Sequence, residues 1–80
     1  MDKEALKKTI SRRLKTALFE AGMSCCALSR TTGISATQIY CITRAQSIPG
    51  AETLMMIADT LGCSMDWLMG RTDCKEVHNG

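Results

Sequence analysis

A short turn between two helical patterns constrains this chain more than any other feature. Ser24 and Ser35 can each begin a helix, because a serine hydroxyl accepts a hydrogen bond from an amide of the first helical turn. Gly33 follows the first helix, where a residue without Cβ can end it in the left-handed conformation. Only Ile34 separates Gly33 from Ser35. So short a turn makes the two helices cross steeply, which predicts a helix-turn-helix motif over residues 24–44.

The second helix of this motif has one apolar face and one polar face. Ile39 and Ile42 lie on the side that faces a core, and Ile34 adds an apolar anchor from the turn. A rotation of about 100° per residue places five other residues on the opposite side: Ala36, Thr37, Tyr40, Cys41 and Arg44. Such a face suits contacts with base edges and a phosphate, and helix-turn-helix motifs commonly place this helix in the major groove. An ordinary solvated helix face is the alternative, which the spacing of caps and turn disfavours.

Composition and charge set the size and the class of the protein. The 80 residues are enough for one small domain, and 45% of them are hydrophobic, which is ample for a core. The net charge of +2 and the pI of about 8.4 permit nucleic-acid binding without predicting it, since that argument needs a pI above about 9. Six cations lie in the first quarter of the chain: Lys3, Lys7, Lys8, Arg12, Arg13 and Lys15. A solvated amphipathic helix would also explain this cluster.

Apolar spacing predicts an all-α domain over residues 1–70. The predicted helices span residues 2–21, 25–32, 36–44, 51–61 and 65–69, with a loop over residues 45–50. Glycines end four of them: Gly22, Gly33, Gly62 and Gly70. Ser64 caps the fifth helix. Residues 71–80 have no periodicity, so we predict a flexible tail.

The reactive side chains argue against an enzyme and against a metal protein. The five cysteines form no CxxC pair and no zinc spacing, and the histidine at position 78 lies in the predicted tail. Without a nucleophile paired to a base, no catalytic site is expected, and we expect no metal and no cofactor. Free thiols suggest a reducing cytosol. No segment has the pattern of a signal peptide or the apolar length of a membrane span.

Several short motifs recur at a characteristic joint spacing between Ile10 and Gly70. They are Arg13-Leu14, Gly22-Met23-Ser24, Leu28, Gly33-Ile34-Ser35, Ile39, Ile42, Pro49, Glu52-Thr53-Leu54, Ile57-Ala58, Leu61-Gly62 and Ser64-Met65-Asp66-Trp67-Leu68. In this spacing the chain resembles the phage repressor/Cro-type, or XRE-like, helix-turn-helix proteins. The resemblance implies a compact five-helix lambda-repressor-like domain. Its implied function is sequence-specific binding of double-stranded operator DNA and regulation of transcription, as a bacterial cytoplasmic, nucleoid-associated repressor of phage or prophage type.

The resemblance also implies roles for individual residues. The base-reading positions of the family fall on Ala36, Thr37 and Cys41, with Tyr40 adjacent, and Gln38 or Gln46 are candidates to reach the DNA. Ser35 and Arg44 fall where the family touches the DNA backbone. Cys25, next to Ser24, occupies a position where the family usually has a glutamine on a phosphate. Arg13 pairs in many relatives with an acid that is Thr43 here, which leaves Arg13 either to a phosphate or to solvent.

The partners follow from the same resemblance. We expect a homodimer with a contact formed by Met65, Trp67, Leu68 and Met69, although methionines and tryptophans at such positions are also typical of a core. A second functional class remains open. The chain could be a protein-interaction module, such as an antitoxin or antirepressor, which uses the helix-turn-helix as a scaffold. No membrane and no small-molecule substrate are expected as partners.

Overall fold

The computed structural model describes residues 2–76, and within that range the chain forms five α-helices and no strand. The helices are α1 (Lys3–Ala21), α2 (Cys25–Thr32), α3 (Ala36–Thr43), α4 (Ala51–Leu61) and α5 (Met65–Leu68). The predicted all-α class and five-helix order are confirmed, and each predicted boundary is met within one residue. None of the described helices has both the length and the apolar character needed to cross a membrane.

Side-chain caps begin four of the helices. The carboxylate of Asp2 accepts from the amide of Ala5 at 2.7 Å, and the hydroxyl of Ser24 accepts from the amide of Ala27 at 3.0 Å. Ser35 accepts from the amide of Gln38 at 3.1 Å in the same way. Ser64 accepts from two amides of the short helix α5. These bonds satisfy amides that have no partner inside their own helix, so the sequence itself sets where these four helices begin.

The core lies between the five helices and receives an apolar side chain from each of them. Its largest fully buried side chains are Ile10 and Leu14 of α1, Leu28 of α2, Ile39 and Ile42 of α3, Ile57 of α4, Leu68 of α5 and Cys63. One polar bond crosses this core: the buried hydroxyl of Ser11 donates to the backbone carbonyl of Thr43. Because this bond joins the middle of α1 to the last residue of α3, it helps to hold α3 in place.

Residues 71–76, the first part of the predicted flexible tail, lie against α1 and α5, and the flexibility stays a prediction. The amide of Ser64 donates to the carbonyl of Lys75 at 2.8 Å, and the guanidinium of Arg13 donates to the carbonyl of Thr72 at 2.9 Å. Arg13 and Lys75 place their charges 5.0 and 5.6 Å from the centre of the Trp67 ring. Periodicity missed this segment because it is held by single polar contacts and has no repeating pattern. The rest of the predicted tail lies outside the described residues.

The turn after α5 brings the backbone close to α1. Gly70 has a φ of +81°, and a Cβ at this position would lie 2.6 Å from the Cγ2 atom of Thr9. Glycine is therefore required here both by the backbone conformation and by the close approach. This close approach lies where α5 packs against α1, directly before residues 71–76.

Candidate nucleic-acid interface

The turn between α2 and α3 is fixed by hydrogen bonds from small hydroxyl side chains. Gly33 takes a φ of +80°, and its amide donates to the carbonyl of Ser29 at 2.8 Å. The hydroxyl of Ser29 donates to the carbonyl of Ile34 at 2.6 Å. The hydroxyl of Thr32 donates to the carbonyl of Leu28 at 2.7 Å and accepts from the amide of Ile34 at 3.2 Å. These bonds make the turn rigid, and so fix the direction in which α3 leaves it.

Sequence reasoning found the caps of this turn but missed the roles of Ser29 and Thr32. The residue types at these two positions could have indicated the hydrogen bonds, because serine and threonine hydroxyls bond readily to carbonyls four residues earlier or to groups across a turn. The position of Thr32 usually carries a large apolar residue in the resembled family, and here its hydroxyl instead ties the turn together. The Thr32 hydroxyl therefore contributes two hydrogen bonds at this position.

Helix α3 presents the polar face that its periodicity predicts. Ile39 and Ile42 are buried, and Ile34 is buried beside them. The opposite face carries the residues predicted to read bases or to touch the backbone. Thr37, Gln38, Tyr40 and Arg44 are exposed, and Ala36 and Cys41 are half-buried. The structure therefore places Thr37, Tyr40, Cys41 and Arg44 on one face of α3, with Ala36 and Gln38 at its two edges.

An exposed cation–aromatic pair occupies the end of this face. The guanidinium carbon of Arg44 lies 5.7 Å from the centre of the Tyr40 ring, and 41% of Tyr40 is exposed. Arg44 forms no ion pair with any residue between positions 2 and 76. It also caps α3, where the partial negative charge of the helix end favours a cation. The donors of Arg44 are therefore available to an external acceptor.

The N-terminus of α2 lies beside the same face. Ser24 is exposed as its cap, Cys25 packs partly against the core, and Cys26 is exposed. The thiol of Cys26 lies close enough to the hydroxyl of Tyr40 to raise the pKa of that hydroxyl through hydrogen bonding and charge repulsion, and the nearby Arg44 opposes the increase. Sequence reasoning missed this neighbour, because the proximity of α2 and α3 across the turn is a tertiary property.

The segment after α3 adds a strained residue and an exposed amide. Ala45 has a φ of +58°, a conformation that residues with a Cβ rarely adopt. The amide of Gln46 donates to the carbonyl of Cys41 at 2.9 Å, which closes the end of the helix. The side chain of Gln46 is exposed next to this turn. The DNA contact of Gln46 stays a prediction, and its exposure leaves the side chain accessible for it.

Three exposed cations of α1 extend the positive charge of this region. Lys8 lies three residues before Ser11, and Lys15 lies four residues after it. Both lysines are therefore on nearly the same side of α1 as Ser11, whose hydroxyl bonds to the end of α3. Arg12 is exposed next to them. None of the three takes part in an ion pair between residues 2 and 76.

Three residues that were predicted to contact DNA or a second subunit make contacts within the chain instead: Arg13, Trp67 and Leu68. The guanidinium of Arg13 covers the Trp67 ring and donates to Thr72 and Asp73, so the expectation that it touches a phosphate is not supported. Trp67 and Leu68 are buried within the chain and are not available for the predicted dimer contact. Met65 and Met69 of that contact are half-buried and pack against the core.

Comparisons with known proteins agree with this geometry. The family model of the Cro/C1-type helix-turn-helix DNA-binding domain matches residues 13–73. The fold is similar to the crystal structure of an HTH_3 family transcriptional regulator from Vibrio cholerae, with a TM-score of 0.78 and 29% identity over 86% of this chain. The chain spans only 39% of the length of that regulator. No curated protein sequence matches the chain. The match over residues 13–73 shows that the chain belongs to the family of Cro/C1-type helix-turn-helix DNA-binding domains.

Proposed function

We propose that this chain is a sequence-specific DNA-binding regulator of transcription, which acts as a repressor by occupying an operator with α3 in the major groove. The observation that carries the proposal is the rigid turn that presents a polar face of α3 with Arg44 free of internal partners. The similar regulator from Vibrio cholerae supports the same class of function. Steric exclusion of other proteins from the operator requires no further domain.

The exposed face of α3 suggests how the bases are read. Thr37 offers a hydroxyl for hydrogen bonds and a methyl group for thymine, and Ala36 offers a methyl group alone. Gln38 is the residue of this face that can pair with an adenine through two hydrogen bonds. Tyr40 and Cys41 complete the surface. Because Ala36, Thr37 and Cys41 have no bidentate group, we expect DNA shape and deformability to contribute to the choice of site.

The backbone contacts are assigned to the edges of the same surface. Ser24 and Cys25 stand at the N-terminus of α2, and Ser35 stands at the N-terminus of α3, where amides and the helix dipole favour a phosphate. Arg44 and Gln46 lie at the other end of α3. The unpaired cations of α1 described above add attraction to the phosphate backbone at longer range.

A homodimer on DNA fits the size of the reading surface. One short helix contacts too few base pairs to single out an operator, and proteins of this kind usually bind two half-sites about one helical turn apart. With Trp67 and Leu68 buried, Met65 and Met69 are the members of the predicted contact that keep some exposure. Sedimentation of the complex with DNA tests the stoichiometry, and one chain per site without a two-fold footprint would refute the dimer.

The experiment for the proposed function separates base reading from backbone anchoring. A pool of random duplexes supplies the preferred site, and fluorescence anisotropy then measures affinity for that site and for a scrambled one. We expect Thr37→Ala to weaken the preferred site by about 1–3 kcal/mol and to relax preference at one base pair. Arg44→Ala should weaken both duplexes about equally and lower the salt slope by about one ion per subunit.

Matched controls come from residues that are not part of the proposed interface. Thr60→Ala on α4 and Arg71→Ala after α5 remove the same chemical groups from positions outside the proposed interface, and they should leave both affinities unchanged. Uniform losses from Thr37→Ala and Arg44→Ala would show that α3 does not read sequence.

The second candidate function is a protein-interaction module, which is favoured by Phe19, an aromatic residue that is 87% exposed. No effect of either substitution on DNA binding would favour this second function.

A further inference from the structure

The charges of this chain are divided unequally along its sequence. Residues 1–44 carry eight of the ten lysines and arginines, and residues 45–70 carry none. The acids of residues 45–70 are Glu52, Asp59 and Asp66. None of these three forms an ion pair in the part of the chain that the structure describes. The fold therefore has a basic part, which includes α1, and an acidic part, which includes α4.

The outer face of α1 carries a row of cations that ends at an aromatic ring. Four residues lie on one face of this helix, at intervals of four, three and four residues: Lys8, Arg12, Lys15 and Phe19. All four are exposed, and Phe19 is 87% exposed. The cations form no ion pair between residues 2 and 76. This α1 stripe, as we call the four residues, offers positive charge and an apolar ring to a partner.

The outer face of α4 has the opposite charge. Glu52, Met55 and Asp59 lie at intervals of three and four residues on one face of the helix, away from its buried side chains. All three are exposed, and Met55 is 49% exposed. This α4 stripe, as we call the three residues, offers two unpaired carboxylates with an apolar side chain between them.

The two stripes match in the spacing of their charges. Lys8 and Lys15 are seven residues apart, and so are Glu52 and Asp59, which is about 10.5 Å along a helix axis in both cases. If the two helices lie antiparallel, Lys15 meets Glu52 and Lys8 meets Asp59. Both pairs of opposite charges then form in one alignment.

The other members of the two stripes fit the same alignment. Arg12 lies beside Met55, where the methylene groups of the arginine can cover an apolar neighbour. Phe19 extends one turn beyond the cations, and so past the first turn of α4. The exposed Ile48 precedes that turn in the chain. Apolar groups of the two stripes thus come together in the alignment that also pairs their charges.

We propose that the α1 stripe of one chain binds the α4 stripe of a second copy of this chain, with the two helices antiparallel. Both stripes are exposed and form no ion pair within their own chain, so each is open to another molecule. The chain itself supplies a basic face and an acidic face with the same charge spacing, which is the complementarity that the contact needs. The contact differs from the proposed dimer through Met65 and Met69, and it does not rest on DNA binding.

The physical nature of this contact makes it weak and sensitive to salt. Each stripe is about two to three helical turns long, so the contact belongs to the small, transient class of interfaces. Exposed ion pairs are screened by salt, so added salt weakens the contact. Because every chain carries both stripes, assemblies of two or more chains satisfy it.

Sedimentation velocity of the full chain without DNA measures the contact. A reducing agent keeps disulfides between the free cysteines from contributing. We expect the average sedimentation coefficient to rise with protein concentration at about 20 mM salt, and the association to weaken at least about tenfold at about 500 mM salt. Association that does not depend on salt would overturn the proposal. A chain that stays monomeric at low salt up to about 1 mM protein would overturn it as well.

Charge reversal tests which two faces meet. The double variant Glu52→Lys/Asp59→Lys has two basic stripes, and the double variant Lys8→Glu/Lys15→Glu has two stripes of net negative charge. We expect each variant alone to associate at least about tenfold less tightly than the unchanged chain, because like charges now face each other. An equimolar mixture should restore association to within about threefold, since each stripe of one variant then meets an opposite charge on the other. A mixture that stays monomeric would reject the contact.

Matched controls change the same charges at other positions. Asp73→Lys/Glu76→Lys alters the net charge as much as the α4 variant does, and Lys3→Glu/Arg30→Glu matches the α1 variant. Both controls should associate as the unchanged chain does. Equal losses in the controls would assign the effect to net charge alone and reject the two stripes.

Phe19→Ser separates the apolar part of the contact from its charges. The ring is exposed, so the fold should be retained, which circular dichroism checks. We expect association about three- to tenfold weaker, with the same dependence on salt, because the variant loses apolar area but no charge. Unchanged association would place the ring outside the contact and contradict the antiparallel alignment.

The outcomes separate this proposal from the proposed function. Loss of association in the α1 variant without a loss in the α4 variant would mean that α1 binds a different acidic surface, and would reject α4 as its partner. Because these measurements contain no DNA, their failure leaves the proposed DNA-binding function standing. A chain that binds no duplex but associates as described would reject that function and keep this contact.

Discussion

Arg13 and Arg44 each place a guanidinium over an aromatic ring, at 5.0 Å from the centre of Trp67 and at 5.7 Å from the centre of Tyr40. The surroundings of the two pairs differ. The Arg13 side chain is 15% exposed and donates to Thr72 and Asp73, and Trp67 beneath it is buried. Arg44 and Tyr40 are both exposed. The same chemical pair is thus enclosed on one side of the molecule and open on the other.

The surroundings of the two arginines indicate which part of the surface is free to bind. A guanidinium has five N–H donors, and Arg13 spends two of its nitrogens on the chain that folds back over it. Arg44 stacks on Tyr40, which orders the side chain without using its donors on an acceptor within the described residues. We infer that the α1–α5 side is a structural side, closed by residues 71–76, and that the α2–α3 side is the binding side.

Removing the enclosed ring of Trp67 should have the largest effect on stability. Trp67→Ala deletes a buried indole, and we expect a loss of about 3–5 kcal/mol in the free energy of unfolding. This loss is similar to the whole stability expected from a core of this size, about 3–5 kcal/mol, so much of the variant should be unfolded at room temperature. Urea titration followed by far-UV circular dichroism measures the change.

Tyr40→Ala is the matched control for that substitution, since it removes the open ring. We expect it to cost less than about 1 kcal/mol, because substitutions at exposed positions outside special features have small effects. Equal losses in the two variants would show that the two sides of the molecule do not differ in the way described here.

Replacing each arginine by methionine tests the different roles of the two cations. Arg13→Met keeps an apolar cover on Trp67 and removes the hydrogen bond to Thr72, so we expect a loss of about 1–2 kcal/mol in stability and no change in DNA affinity. The bond to Asp73 adds little, because that carboxylate is exposed. Arg44→Met should show the reverse, with stability unchanged within about 0.5 kcal/mol and weaker DNA binding. Weaker DNA binding by Arg13→Met would instead support the prediction that Arg13 contacts a phosphate.

The backbone on the binding side offers a smaller test. Ala45 holds a φ of +58° directly after α3, where glycine avoids the steric cost of a Cβ. We expect Ala45→Gly to raise stability by about 0.5–1 kcal/mol, since the relief is partly offset by the greater freedom of glycine in the unfolded chain. Chemical denaturation measures the change, and Ala51→Gly at the start of α4 is the contrasting control, which should not stabilise. Destabilisation by Ala45→Gly would indicate that the turn conformation of Ala45 costs nothing.

The sequence predicted the local part of this fold and little of its tertiary polar chemistry. Serine caps, glycine stops and apolar spacing act within a few residues, and they gave the helices and the exposed face of α3 correctly. The position of Arg13 over Trp67 joins residues far apart in the chain, and no periodicity encodes it. The proximity of Cys26 to Tyr40 depends on how two helices pack across the turn. Such contacts become visible only when the helices are placed in space.

Cys63 tests how tightly the structural side is closed. Burial raises the pKa of its thiol above the ordinary value of 9.0, and the nearby charge of Lys75 opposes the increase. Valine has a similar size and no ionisable group, so we expect Cys63→Val to change stability at neutral pH by less than about 0.5 kcal/mol.

The raised pKa of Cys63 predicts a dependence of stability on pH. Because the thiol of Cys63 holds its proton more tightly in the folded state than in the unfolded state, the associated stability is fully present below pH 9.0. It is lost as the pH rises through the raised pKa of the folded state. Urea titrations from about pH 7.5 to about pH 10 should therefore show the unchanged chain losing stability faster than Cys63→Val. Cys26→Ser, which removes an exposed thiol, serves as the control and should not reproduce that divergence. Parallel curves for the unchanged chain and Cys63→Val would mean that solvent reaches Cys63, and that the side of the molecule closed by residues 71–76 is open.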